Sequence, residues 1–196
     1  TIKEIVEEIN VKYFLPHIQR ELVWKPPQMV KLFDSLMRGY PISTFLFWKL
    51  VNKKDITKLE FIKYYKKGQS KNHINNDTDR DEYWLVLDGQ QRLQSFFIAL
   101  KGTYNDKELF FNVLSKRAIT EENDEESEII YETRFFKRDK EFFIKEELDK
   151  NTKEKTKKLW VKVKSFALLK YDNLYDFIEK LKETFSEQLL YEEAKL

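Results

Sequence analysis

The chain has no cysteine. Disulfides, thiolate nucleophiles and Cys-ligated zinc are excluded, and the composition suits a reducing intracellular setting, so a cytoplasmic location is expected. Histidine is nearly as scarce, with only His17 and His73, far apart in sequence. A His-rich metal site, or a nuclease that needs two or more histidines, cannot be assembled from this chain alone. Glycine and proline number four each in 196 residues, which implies few turns and long elements. No apolar run approaches the roughly eighteen residues of a membrane span, and no signal-peptide pattern opens the chain, so no membrane partner is expected. A dominant charge is missing too: 36 basic residues against 34 acidic ones leave a net charge of +2. Any nucleic-acid surface would have to come from local segregation of charge. The first residue is Thr and the last segment is charged and helical in pattern, which suits a piece of a longer protein.

What is present is apolar and aromatic: 41% hydrophobic residues, including 16 Phe, 10 Tyr and 4 Trp, suffice to bury a core. Thr1 with Glu4 reads as a capping box opening a short helix, with Ile2, Ile5, Val6 and Ile9 on one face. The segment around Pro16 should be extended. A helix should start near Pro26 and present Met29, Val30, Phe33, Leu36 and Met37 before ending at Gly39. STFLFWKLV reads as a buried strand, KLEFIKYYKK as a second, paired one, and residues 68–82 as a polar surface loop. YWLVLD is expected to be a central strand, followed at once by a helix with Leu93, Phe96, Phe97 and Leu100 on its inner face, then by the strand ELFFNVL.

The second half differs in character. EENDEESE suits a solvated loop or a helix start. IIYETRFF and KEFFIKEEL alternate aromatics with charge and could form a core or a homo-oligomer interface; LWVKVKSFALL is a strand or an entry into a helix. Leu174, Phe177, Ile178, Leu181 and Phe185 predict a long amphipathic helix near the end. The expected class is α+β: a mixed sheet with flanking helices over residues 1–115, and an extension over 116–196 ending in that helix.

The chemistry concentrates where the strand meets the helix, at Asp88, Gly89, Gln90, Gln91 and Arg92. A helix mouth carries unpaired N–H groups and the positive end of the macrodipole, which favour an anion. Gly89 permits a tight turn and close backbone approach. Arg92 can offer a planar fork to phosphate or carboxylate, and the two amides can bind oxygens or orient a water. The competing reading is that Asp88 caps the helix, Gly89 serves the turn and Arg92 meets a surface carboxylate. Gln19 and Arg20 lie at another element boundary, where Arg20 either pairs with an acid or supplies a second positive group to a polyphosphate, with Gln19 contacting phosphate, sugar or base; Trp24 is expected to anchor the core. Two arginines with amides could hold a nucleoside triphosphate. No GxxxxGK[ST] stretch exists, so a Walker-type loop is excluded.

The order LPHIQRELVW, GYPISTFLFWKL, LVLDGQQRLQSF resembles the DUF262 family, the N-terminal domain of GmrSD-type type IV restriction systems. The family's Gln-Arg and Asp-Gly-Gln-Gln-Arg motifs are matched here by Gln19, Arg20 and Asp88 to Arg92, over roughly the first 115 residues. Leu15 stands where an Ile is usual, and His17 and Ile18 occupy variable positions. The resemblance implies a ParB/sulfiredoxin-like fold and nucleoside triphosphate hydrolysis coupled to restriction of modified phage DNA. It places the DNA-cutting chemistry in a C-terminal or separate nuclease domain that is not in this chain. On that footing the nucleotide-binding residues are Gln19, Arg20, Gly89 and Arg92, and the catalytic ones Asp88, Gln90, Gln91 and Arg92. The two arginines would neutralise charge and a glutamine position water, with Asp88 holding Mg2+ or orienting Arg20. The rivals are a nucleotide-gated switch without turnover and a DNA-binding module using lysine-rich stretches such as KNTKEKTKK.

Overall fold

A computed structural model of the chain describes residues 1–18, 21–51, 56–76, 81–115, 130–148, 153, 155–167, 169, 175–183 and 186. The capping box at Thr1 and Glu4 is formed and starts α1 (Ile2–Glu7). A turn through Asn10, at φ 63°, leads into β1 (Tyr13–Pro16). Alternation along β1 sends Leu15 into the main core and Phe14 into a smaller cluster. Prolines fill the first turn of α2 (Pro26–Met37), where a missing N–H costs nothing. Its buried residues are Met29, Leu32, Phe33 and Asp34, while Met37 is half exposed. The buried stripe is thus rotated from the expected face. Asp34 goes inside because it binds the Arg38 side chain at 3.0 Å and accepts from the Ile130 and Tyr131 N–H groups.

Beyond it come β2 (Leu46–Val51), β3 (Lys58–Leu59), β4 (Tyr64–Tyr65), β5 (Ile74–Asn75) and β6 (Glu82–Asp88). They are followed by α3 (Gln90–Lys101), β7 (Thr103–Tyr104), β8 (Glu108–Asn112), β9 (Thr133–Phe136), β10 (Phe142–Leu148), β11 (Lys155–Lys162) and α4 (Val163–Phe166). Three sheets result. The first is mixed, ordered β2-β6-β1-β3-β5, with β6 antiparallel to β2 and parallel to β1. The second, β10-β11-β8-β9, is antiparallel throughout. The third pairs β4 with β7 in parallel. There a Cβ on Gly102 would collide with the Lys63 carbonyl, so only glycine admits this approach.

The class is α+β, as expected, and β6 occupies the predicted central position. KLEFIKYYKK, expected as one strand, breaks into β3 and β4, which belong to different sheets. Side chains break it: the Asn10 amide exchanges two hydrogen bonds with the Phe61 backbone, and the Gln94 amide does the same with Ile62. The expected loop 68–82 contains β5 and the start of β6, with 77–80 outside the described residues. In α3 every residue from Leu93 to Leu100 is buried, polar Gln94 and Ser95 included. The helix is enclosed by α1, α2, α4, β7 and β8 rather than lying on a surface. Each fully buried Leu or Phe there contributes roughly 1.5–3 kcal/mol.

LWVKVKSFALL supplies both expected alternatives, the end of β11 and then α4. The aromatic segments of the second half pack inward, Phe135 into the main core and Phe136 against Phe110, Phe143 and Trp160. β8, from before residue 115, is a strand of the same sheet as β9 to β11. Residues 175–183 and Ser186 are helical, with Phe177 against Phe166; the rest of the expected terminal helix and EENDEESE lie outside the described residues. No helix among the described residues is long and apolar enough to cross a membrane.

Candidate nucleotide site

The turn between β6 and α3 is built on Gly89. It has φ 83°, a left-handed conformation that L side chains rarely adopt. A Cβ there would also run into the Phe45 ring. The fold itself therefore requires glycine, before any ligand is considered. The first helical bond joins the Leu93 N–H to the Gly89 carbonyl at 2.9 Å, which leaves the N–H groups of Gln90, Gln91 and Arg92 without helical acceptors. No side chain among the described residues caps them. α1 shows the contrast, because Thr1 accepts there from Glu4 N–H. The mouth of α3 opens into a cleft of about 280 Å³ lined by Trp24, Leu87 and the Asp88–Arg92 turn. Macrodipole and orphan donors together make this cleft attractive to an anion.

Each predicted side chain has a definite place. Asp88 does not cap α3; its carboxylate meets Arg92 Nη2 at 3.3 Å and its side chain is 67% exposed. Arg92 is only 13% exposed. It donates to the Ile42 and Thr44 carbonyls and stacks 4.8 Å over Phe45, so its fork holds the segment before β2 and its charge lies behind the turn. Gln91 reaches the other way. Its Oε1 accepts from Val23 N–H at 3.0 Å and Trp24 N–H at 3.4 Å, and its Nε2 donates to the Glu21 carbonyl at 3.1 Å. The irregular segment 21–24 is thereby pinned across the first turn of α3. Gln90 donates through Nε2 to the Val86 carbonyl at 2.8 Å, and its Oε1 has no partner among the described residues. Gln19 and Arg20 lie outside the described residues, immediately before the pinned segment.

Sequence reasoning brought Asp88 to Arg92 together and missed the parts that shape the site. Phe45 is the floor that enforces glycine at 89, and Leu87 is a cleft wall. Trp24 packs partly on the main core, as expected, and also lines the cleft, which was not foreseen. The adjacent amides of Gln90 and Gln91 were the available signal, but which backbone an amide clamps depends on tertiary placement. Among the described residues no group of three or more His, Cys, Asp or Glu could hold a metal ion by itself. Asp88, exposed at the cleft, fits a cation whose other ligands are phosphate oxygens and water, the usual habit of Mg2+.

Comparison with curated proteins finds no match. The family model of the GmrSD restriction endonuclease N-terminal domain matches residues 2–195, nearly the whole chain and both halves of it. The chain therefore belongs to the GmrSD restriction endonuclease N-terminal domain family, whose role lies in the restriction of modified DNA.

Proposed function

We propose that the mouth of α3 binds the phosphates of a nucleoside triphosphate and that the chain hydrolyses it to regulate restriction in the cytoplasm, with DNA cut by a separate domain or subunit. The observation that carries this reading is the uncapped mouth itself: orphan N–H groups of Gln90, Gln91 and Arg92 opening into a cleft beside an exposed carboxylate. Phosphate oxygens would take those N–H groups, and Arg92 would supply a fixed positive charge from behind the turn. Asp88 would hold Mg2+, which when bound neutralises charge on the β- and γ-phosphates.

Gln90 is the better water-orienting residue, because its Oε1 has no partner among the described residues while the Gln91 amide is committed to residues 21–24. Gln91 then acts as a positioning residue that holds the segment following Gln19 and Arg20, which would reach the polyphosphate. Water attack forms a new O–P bond at the γ-phosphorus, breaks its bond to the bridging oxygen, and releases nucleoside diphosphate, inorganic phosphate and a proton. Phosphate release from the four ribonucleoside triphosphates with Mg2+ tests this. Gln90→Leu should lower kcat by about 10- to 1000-fold with binding retained; unchanged turnover in that variant overturns the assignment.

One observation favours the nucleotide-gated switch. Gln91 and Arg92 both tie the mouth of α3 to backbone segments, so phosphates arriving there could shift residues 21–24 and 42–44 without turnover. Tight binding with no phosphate release by the intact chain would establish that alternative. The DNA-binding reading draws less support, because Lys158 and Lys162 of β11 are engaged by Glu132, Glu147 and Glu108.

A further inference from the structure

The cleft at α3 has walls that phosphate does not need. Trp24 and Leu87 line it above the turn; Leu87 is 43% exposed although it belongs to a central strand, and Trp24 is only half-buried. A charged polyphosphate gains nothing from an indole and an isobutyl group. A flat aromatic heterocycle does, because it removes apolar area from water and stacks on the π-face. The backbone that carries Trp24 is also clamped: the backbone N–H of Trp24 and that of Val23 both reach Gln91 Oε1, in the first turn of α3. The Gln91 amide thus fixes the spacing between the Trp24 backbone and the phosphate-binding donors.

We infer that Trp24 is the platform on which the nucleobase stacks, with Leu87 adding apolar lining to the same cleft. This rests on the nucleotide reading above and adds to it a residue that recognises the base. Gln91 fixes the platform's position without touching the base.

Calorimetric titration with Mg2+ separates the base from the phosphates. The probes are the βγ-imido analogues of the four ribonucleoside triphosphates and inorganic tripolyphosphate, applied to the intact chain and to Trp24→Leu and Trp24→Phe. Leu keeps apolar packing at position 24 but has no π-face; Phe keeps both. The expected result is that Trp24→Leu weakens the analogues roughly 10- to 100-fold and leaves tripolyphosphate unchanged, while Trp24→Phe restores most of the loss. Unchanged tripolyphosphate binding shows in the same experiment that the cleft is intact. Equal losses for analogues and tripolyphosphate would overturn the inference, since Trp24 would then only hold the turn in shape. Analogue binding no tighter than tripolyphosphate, or indifferent to Trp24→Leu, would also overturn it and leave the phosphate site standing. Failure of the intact chain to bind either class would refute the nucleotide reading itself.

Discussion

Around α3 the polar side chains hold backbone. Asn10 brackets Phe61, Gln94 brackets Ile62, Gln91 takes Glu21, Val23 and Trp24, and Arg92 takes Ile42 and Thr44. On the second sheet the polar side chains hold one another. Arg134, Glu132, Glu147, Lys145 and Lys158 form a continuous ion-pair lattice over a face whose aromatic residues include the fully buried Phe110 and Trp160. Arg134 lies over Phe136 and Trp160, and Lys145 over Phe136, so the aliphatic and cationic parts of the lattice roof the rings. A side chain spent on backbone positions a loop that has no ladder of its own. A side chain spent on another leaves a surface already satisfied. The first arrangement suits a site, where irregular segments must sit at fixed distances from a helix mouth; the second suits a scaffold.

The largest effect should come from breaking the turn. Gly89→Ala meets both an unfavourable φ and the Phe45 ring, and should cost about 2–4 kcal/mol in denaturant unfolding. A change under about 0.5 kcal/mol would mean that Phe45 does not set the turn. Gln94→Leu comes next: it strips partners from the Ile62 N–H and carbonyl and should cost about 2–3 kcal/mol. An unaltered unfolding midpoint would show that the 60–63 segment finds its place without the clamp.

The scaffold should answer to pH instead. Burial pushes the Glu147 carboxyl up, but hydrogen bonds from Lys145 and Lys158 and the charges of Arg134 and Lys158 outweigh this and bring it down to about 2, from an ordinary 4.5. A lowered folded pKa adds stability above the unfolded value and loses it as pH falls. Unfolding free energy should therefore drop between about pH 4.5 and pH 2, by on the order of 2 kcal/mol after solvent screening. Glu147→Gln should flatten that slope. Lys145→Ala should lose at most about 0.5 kcal/mol, since Arg134 and Lys158 still face the carboxylate.

These differences also explain what could be read from residue order. The β6–Gly89–α3 passage was legible because a strand pattern, a glycine and a helical pattern follow without a gap, and the Thr1–Glu4 box is a local signal. The break between β3 and β4 was not legible, because Asn10 and Gln94 bind Phe61 and Ile62 between them from 51 and 32 residues away, and β5 at two residues carries too short a pattern to read. The inner face of α3 was legible, with Leu93, Phe96, Phe97 and Leu100 all buried, but the burial of polar Gln94 and Ser95 was not, because a helix enclosed on all sides has no solvent side for periodicity to report. The hydrogen bonds of Gln91 and Arg92 to backbone were hidden because those partners lie 48 to 70 residues away in sequence.

The central claim is that orphan N–H groups at the mouth of α3 receive phosphate. Backbone amide NMR during titration with a βγ-imido nucleotide and Mg2+ reads those groups one by one. The largest shifts should fall on Gln90, Gln91 and Arg92. Binding that leaves these three amides unmoved and shifts residues elsewhere would contradict it.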